Sequence, residues 1–115
     1  MIIDDDGDVR LTLKRVIEGR TAFKVVGEAA DGGQGSLVVD AVLPDLVVVD
    51  VKLPVVDGIE TTRRIHDLHP EIKVVGFSSA DDDATGAIMR RAGAVATLVK
   101  GATPDEIVDT LLEIA

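Results

Sequence analysis

The chain has 115 residues, no cysteine and a formal net charge of −9, which predicts a single acidic domain over residues 1–115 and excludes a disulfide framework or a thiolate metal site. The acidic charge also argues against direct nucleic-acid contact, because nucleic-acid binding draws most of its affinity from basic residues. Since no apolar run approaches the roughly 18 residues of a membrane span and the first residues lack the pattern of a secretory signal peptide, we expect a cytoplasmic protein with no membrane contact.

Short apolar runs, which we interpret as strands, recur along the whole chain. The predicted strands lie at residues 2–3, 24–28, 46–49, 72–77 and 95–99. The run at 46–49 does not alternate between apolar and polar residues, which is typical of a parallel strand buried on both faces. Helices are therefore expected to cover both sides of the sheet.

Helical spacing follows each predicted strand. In the first helix an apolar face lies within residues 9–17, while Arg10 falls on the outward face. Further helices are predicted at residues 57–68, 81–92 and 103–114. Gly93 ends the helix at 81–92, and Thr103 precedes Pro104 as a helix cap at the start of the last one.

The second helix is the least regular of the five. It follows Asp31 and enters through Gly32-Gly33-Gln34-Gly35. Because each interior glycine costs about 1 kcal/mol relative to alanine, we expect this helix to start late or fray. The repeated strand-helix order nevertheless predicts an α/β fold of the (βα)5 type, with a five-stranded parallel sheet.

Polar side chains follow four of the predicted strands. In chain order they are Asp4-Asp5-Asp6, Asp50, Ser78-Ser79 and Lys100. Ligands of open parallel sheets bind outside the carboxyl ends of the strands, so we expect these side chains to lie at one edge.

Converging carboxylates repel one another unless a cation neutralises them, and hard oxygen ligands select Mg²⁺ or Mn²⁺. Such a cation leaves a coordination position for a phosphate oxygen. Lys100 and Ser78 are suited to bind further phosphate oxygens, and Asp50 is then the candidate nucleophile, forming an acyl phosphate.

Four stretches match the pattern of a known family. They are residues 3–6, 47–58, 75–80 and 98–102, and the second contains Asp50, then Leu53-Pro54, then Asp57-Gly58. With them the chain resembles receiver domains of two-component response regulators, and residues 26–32 with the segment after Lys100 resemble the NarL/FixJ subfamily. The resemblance implies a flavodoxin-like fold with strand order 2-1-3-4-5.

The resemblance also implies roles for individual residues. Asp50 would accept phosphate from the phosphohistidine of a sensor histidine kinase, and Asp5 and Asp50 would be the side-chain ligands of Mg²⁺. Lys52 would offer its backbone carbonyl to the metal, and Asp4 would hold the water shell. Ser78 and Lys100 would bind the phosphoryl group.

Partners are implied in the same way. The receiver would switch an output domain or a downstream protein, with transcription regulated through a DNA-binding domain that is absent from this chain, and a homodimer is a further expected assembly. No separate substrate is expected, so the chain is not predicted to be an enzyme in the ordinary sense.

Two alternatives stay open at this point. Thr97 stands where many receivers place an aromatic switch residue, and the chain has no tyrosine or tryptophan; this favours a receiver-fold interaction or dimerisation module that works without phosphate. A phosphatase of the haloacid-dehalogenase type would also use a phospho-aspartate. That class needs an aspartate two residues after the nucleophile, and position 52 is Lys.

Several other acids and both histidines have simpler interpretations. Asp6 and Asp8 are interpreted as alternative caps of the first helix, with Asp8 favoured, and Asp57 is predicted to cap the third. The acids at residues 81–83 are expected to be a solvated helix start. His66 and His69 have no acidic partner in register on their helix, so we expect surface roles for them.

Overall fold

The computed structural model describes residues 1–79 and 83–115, in which five strands alternate with five helices. The elements are β1 (Ile2–Ile3), α1 (Gly7–Arg20), β2 (Glu28–Ala29), α2 (Gly32–Val42), β3 (Leu46–Asp50), α3 (Gly58–Leu68), β4 (Lys73–Ser78), α4 (Asp83–Ala92), β5 (Ala96–Val99) and α5 (Pro104–Ile114). The predicted beginning of the fourth helix, residues 81–82, lies outside the described residues.

The sheet has the order β2-β1-β3-β4-β5, and its strand pairs are parallel. This is the flavodoxin-like order that the family resemblance implied, so that prediction is confirmed. None of the helices in residues 1–79 and 83–115 combines the length and the apolar character that a bilayer crossing requires.

Strand β3 lies at the centre and is buried on both faces. Val47 and Val49 pack with Ile65 of α3 in one apolar cluster, and Val48 packs with Leu111 of α5 in another. Because successive side chains of a strand point to opposite faces, the unbroken apolar run serves both clusters. Helices therefore cover both sides, as predicted.

Strand β2 is shorter than predicted. We expected residues 24–28, but only Glu28 and Ala29 are paired, with Ile2 and Ile3 of β1. A strand exists only where it has a hydrogen-bonding neighbour, and β1 offers two residues. The apolar composition of residues 24–27 carries no information about that partner.

Helix α2 begins at Gly32, so the prediction of a late start is wrong. Asp31 caps it, its carboxylate accepting a hydrogen bond from the Gln34 N–H at 2.8 Å. A Cβ built on Gly32 would lie 2.1 Å from Thr61 Oγ1 of α3. The glycine lets the two helices approach, and this packing, together with the cap, outweighs its poor helix propensity.

Of the two acids interpreted as caps of α1, Asp6 is the cap, and the preference for Asp8 is wrong. The Asp6 carboxylate accepts a hydrogen bond from the Asp8 N–H at 2.9 Å, which places Asp8 in the first turn. An acid in the first turn still interacts favourably with the positive end of the helix.

Three other helix-end predictions are confirmed. Asp57 caps α3 and Thr103 caps α5, with Pro104 at the first helical position. Gly93, just after α4, has a φ of 120°, a left-handed conformation that glycine adopts without a steric penalty.

His69 has the acidic partners that its own helix does not supply. Its Nε2 lies 2.8 Å from Asp40 Oδ1 of α2, and its Nδ1 lies 3.8 Å from Glu71 Oε1. The prediction that its own helix supplies no acidic partner is not contradicted, because this pairing is between elements and not along one helix. His66 packs against Gly93, where an added Cβ would lie 2.4 Å from its ring.

Candidate metal centre

Three carboxylates meet where β1 and β3 end. Asp4 and Asp5 follow β1, Asp50 is the last residue of β3, and one carboxylate oxygen from each lies within 4.8 Å of the others. Asp4 and Asp50 are buried and Asp5 is exposed. Of the acids that the strand-end pattern singled out, the structure thus brings together Asp4, Asp5 and Asp50, whereas Asp6 caps α1.

Lys100, which follows β5, reaches into the same cluster. Its Nζ lies 3.0 Å from Asp50 Oδ2 and 3.3 Å from Asp4 Oδ2. The ammonium also lies 5.9 Å from the centre of the Phe77 ring, within the range of a cation–π contact. These contacts hold the ammonium beside the acids, while the Lys100 side chain stays partly exposed.

The loop after β3 returns closely against Asp50. The Lys52 N–H donates to Asp50 Oδ1 at 3.0 Å, and the Lys52 side chain is exposed. The Gly58 N–H donates to Val51 O at 2.9 Å, and a Cβ at Gly58 would lie 2.0 Å from Asp50 O. Only glycine allows α3 to begin so near the buried carboxylate.

Ser78 is the last residue of β4 and is buried. The Lys100 N–H donates to Ser78 O at 2.7 Å, so the two residues are tied through the backbone. Ser78 therefore lies at the same edge of the sheet as Lys100, as the strand-end pattern predicted.

Asp4 is 1% exposed, and its two oxygens are in different environments. Oδ1 accepts a hydrogen bond from the Asp6 N–H at 2.9 Å. Oδ2 lies 3.3 Å from Lys100 Nζ and forms an ion pair with it. Within the described residues no group donates an aligned hydrogen bond to Oδ2. The Lys100 ammonium offsets part of the cost of burying this oxygen, and a hydrated cation would supply the donor that it lacks.

The charges in the cluster do not balance. Burial raises the pKa of Asp50, and the Asp4 carboxylate adds to this, while Lys100 and the Lys52 N–H oppose it. Burial alone would lower the pKa of Lys100, but its hydrogen bond to Asp50 and the charge of Asp4 raise it above 10.5. One ammonium thus faces three carboxylates, and this excess of negative charge on oxygen donors fits a hard divalent cation.

Sequence reasoning missed Arg10, which it placed on the outward face of α1. The Arg10 side chain instead turns back, with Nη1 donating to Asp4 O at 2.6 Å and Nε 3.3 Å from Glu28 Oε1. The available signal was its position in the first turn of α1, only a few residues after the acids of β1. Helical periodicity assigns a face to a residue but not the direction of a long, flexible side chain.

The fold and this cluster define a receiver domain, and the chain belongs to the response regulator receiver domain family, whose model matches residues 1–112. Among curated proteins it is 33% identical over 111 residues to the response regulator GacA of Pseudomonas protegens, covering 96% of this chain and 52% of that protein. It is 31% identical over 111 residues to the response regulator UvrY of Escherichia coli K12, covering 96% and 51%. The chain spans about half the length of the curated relatives that it matches.

Solved structures agree with this assignment. The signal receiver domain of NarL from Mycobacterium tuberculosis superposes with a TM-score of 0.92 at 28% identity, covering 98% of this chain and 91% of that one. A two-component response regulator of the LuxR family from Aurantimonas gives 0.94 at 34% identity, covering 99% and 81%. The expected likeness to NarL-type receivers is confirmed.

Proposed function

We propose that Asp50 accepts a phosphoryl group from the phosphohistidine of a sensor histidine kinase, in a step that requires Mg²⁺. The observation that carries the proposal is the buried Asp50 carboxylate, which lies within 4.8 Å of two further acids and 3.0 Å from Lys100 Nζ. A nucleophile, a place for a divalent cation and a fixed positive charge are the parts that phosphoryl transfer to a carboxylate needs.

In the proposed step a carboxylate oxygen of Asp50 forms a bond to phosphorus while the bond from phosphorus to the histidine nitrogen breaks. The electron pair of that bond stays on the imidazole, which then carries a proton from water. Attack by water on the acyl phosphate later restores the carboxylate and releases inorganic phosphate. The Lys100 ammonium pairs with one phosphoryl oxygen, and the Ser78 hydroxyl donates a hydrogen bond to another.

The side-chain ligands of the metal would be Asp5 and Asp50, with the Lys52 backbone carbonyl as a further ligand and Asp4 holding the water shell. When bound, Mg²⁺, or Mn²⁺ in its place, neutralises charge on the phosphoryl oxygens during transfer. The excess of carboxylates over ammonium charge supports this assignment, and so does the buried Asp4 Oδ2, which accepts no aligned hydrogen bond within the described residues.

Residues 1–115 are proposed to act as a single cytoplasmic receiver unit without a separate substrate. The partners would be a histidine kinase and an output domain or downstream protein, with a homodimer as a further assembly. One relative is a transcriptional regulatory protein, DegU of Brevibacillus brevis, to which the chain is 30% identical over 115 residues. This supports transcriptional regulation as the output, through a DNA-binding domain outside this chain.

The test is incubation with acetyl phosphate and Mg²⁺, read by intact mass and by a beryllofluoride titration followed by NMR. We expect a mass gain of one phosphoryl group in the wild type and none in Asp50→Asn, which should stay folded. Asp45→Asn, an exposed acid just before β3, is the matched control and should gain mass like the wild type. Labelling of Asp50→Asn at the wild-type level would refute the proposal.

A second candidate function is favoured by Thr97 of β5. A Cβ built on Gly76 would lie 3.1 Å from Thr97 Cγ2, and one on Gly86 would lie 3.5 Å from its Oγ1, so this residue sits between β4 and α4. A threonine lacks the ring that would fill a cavity on switching. A phosphate-independent interaction or dimerisation module would show neither a mass gain nor a spectral shift in the same experiment.

A further inference from the structure

Arg10 connects three elements around the acid cluster. It lies in the first turn of α1, its Nη1 donates to the carbonyl of Asp4 at the end of β1, and its Nε pairs with Glu28 of β2. Its side chain is 23% exposed, so the guanidinium is largely enclosed by these contacts. A planar guanidinium suits this arrangement because its donors point in fixed directions to two acceptors.

The contact to Asp4 O matters for the neighbouring Asp5. The carbonyl of Asp4 belongs to the peptide group that precedes Asp5, and the N–H of Asp6 belongs to the one that follows it. Arg10 holds the first of these groups at 2.6 Å, and the Asp4 carboxylate holds the second at 2.9 Å. Both peptide planes that set the direction of the exposed Asp5 side chain are therefore fixed.

Charge alone does not account for this arrangement. The positive charge of Arg10 is paired with Glu28 at 3.3 Å, so the pair adds little net charge to the cluster. The role that remains is geometric. A ligand carboxylate on a short loop loses less conformational entropy on binding a cation when its backbone is already held in place.

We infer that Arg10 is a positioning residue, which orients the Asp5 carboxylate for the divalent cation by holding the Asp4 carbonyl. This inference rests on the proposed function, because it assumes that Asp5 is a metal ligand. It predicts that loss of Arg10 weakens cation binding even though Arg10 is not among the candidate metal ligands.

The experiment compares Mg²⁺ affinities of the metal-free chain and its variants by NMR titration. Removal of a group that orients a metal ligand typically weakens binding about 10–100-fold, and we expect Arg10→Met to fall in this range. Arg10→Lys keeps the charge but offers one nitrogen in place of the separate Nη1 and Nε that reach the two acceptors, so it should recover part of the loss. Arg20→Met is the matched control, since Arg20 lies on the same helix and forms an exposed ion pair with Asp105 of α5; its affinity should equal that of the wild type.

Two further readouts separate positioning from a general loss of structure. In the metal-free Arg10→Met variant the amide of Asp6 should exchange faster with solvent than in the wild type, whereas amides of β3 should not change. At saturating Mg²⁺ the rate of labelling by acetyl phosphate should return to within about threefold of the wild type, because affinity and not the chemical step is affected.

The outcomes are distinct. Wild-type Mg²⁺ affinity in both Arg10→Met and Arg10→Lys would overturn the inference, and so would an equal loss in Arg20→Met. Full recovery in Arg10→Lys would mean that charge and not geometry is responsible. If Arg10→Met does not fold, Arg10→Lys is compared with the wild type in its place. A wild-type chain that binds no Mg²⁺ would instead refute the proposed function.

Discussion

The two edges of the sheet differ in both shape and charge. At the carboxyl ends of the strands, Asp4, Asp50 and Lys100 form a small and tightly connected polar cluster. At the amino ends an open groove of about 770 Å³ is lined by residues that include Phe23, Val42, Leu43 and Leu111. This groove is thus not where the chemical groups meet. The size of a groove is a poor guide to a phosphate site, which needs only a few converging charges.

The comparison also separates two kinds of acid at the carboxyl edge. Because the helices run back against the strands, their positive N-terminal ends lie at this edge. Asp6, Asp31 and Asp57 bind backbone N–H groups of the helices that they cap. Asp4 and Asp50 instead share the ammonium of Lys100. Structural acids therefore face helix ends, and the acids of the candidate site face one another.

The largest effect is expected from exchanging a lysine at the carboxyl edge. Lys100→Met removes the only cation paired with Asp4 and Asp50 among the described residues, so the rate of labelling by acetyl phosphate should fall about 100-fold. Lys73→Met is the control, since Lys73 lines the groove at the other edge and its Nζ donates to Ile114 O. Equal labelling rates in the two variants would contradict the distinction between the edges.

A smaller effect, on Mg²⁺ affinity, is expected when an acid is replaced at the carboxyl edge, with an acid at the amino edge as the control. Asp5→Asn should weaken Mg²⁺ binding about tenfold or more, and it should raise the stability of the metal-free chain by less than about 1 kcal/mol, because it relieves repulsion at an exposed site. Asp45→Asn, at the groove, should leave Mg²⁺ affinity unchanged. Calorimetric titration measures the affinity, and urea unfolding measures the stability. Unchanged affinity in Asp5→Asn would remove Asp5 from the ligand set.

Much of the carboxyl edge could be predicted from sequence because it depends on two regularities. Apolar runs mark buried strands, and parallel connections bring the strand ends together, which placed Asp4, Asp50 and Lys100 side by side. The contact of Arg10 with Asp4 O could not be predicted in the same way. A side chain with several rotatable bonds can point outward or fold back, and the choice depends on an acceptor that another element supplies.

Two further features of the fold were harder to predict for a related reason. The length of β2 depends on how many residues its neighbour pairs, and the early start of α2 at Gly32 depends on space beside Thr61. Both are properties of two elements in contact. Propensity describes one segment at a time, so it gave a strand that was too long and a helix that started too late.

The stability of the metal-free chain should depend on pH through Asp50. Burial raises the pKa of this carboxyl above its ordinary value of 3.8, so the fold favours the protonated form. The resulting stabilisation is complete below pH 3.8 and is lost as pH rises through the folded-state pKa. Asp50→Asn lacks this loss and should gain stability relative to the wild type over that interval.

Urea unfolding at a series of pH values without divalent metal measures this difference. Saturating Mg²⁺ should abolish the pH-dependent gain in stability of Asp50→Asn over the wild type, because a bound cation favours the ionised carboxylate of the wild type. A difference between wild type and Asp50→Asn that did not change with pH would contradict the buried, acid-facing environment of Asp50.

The smallest effect concerns one strained residue at each edge. Val55, after β3, has a φ of 67°, and Leu43, at the end of α2, has a φ of 46°. The Val56 N–H donates to Pro54 O at 2.8 Å, which makes Val55 the centre of a tight three-residue turn. A left-handed conformation costs an L-residue about 1–2 kcal/mol, and more for a side chain branched at Cβ.

Val55→Gly should therefore raise the free energy of unfolding by about 0.5–1 kcal/mol, after the extra backbone entropy of glycine in the unfolded chain is subtracted. Leu43→Gly should change it by about 0.5 kcal/mol or less, because Leu43 is unbranched at Cβ and its side chain also contributes to the wall of the groove. Urea midpoints with unchanged slopes measure both values. A larger gain at Leu43 would mean that strain is not concentrated beside the acid cluster. A larger gain at Val55 would support the view that local strain gathers where backbone groups are held for binding.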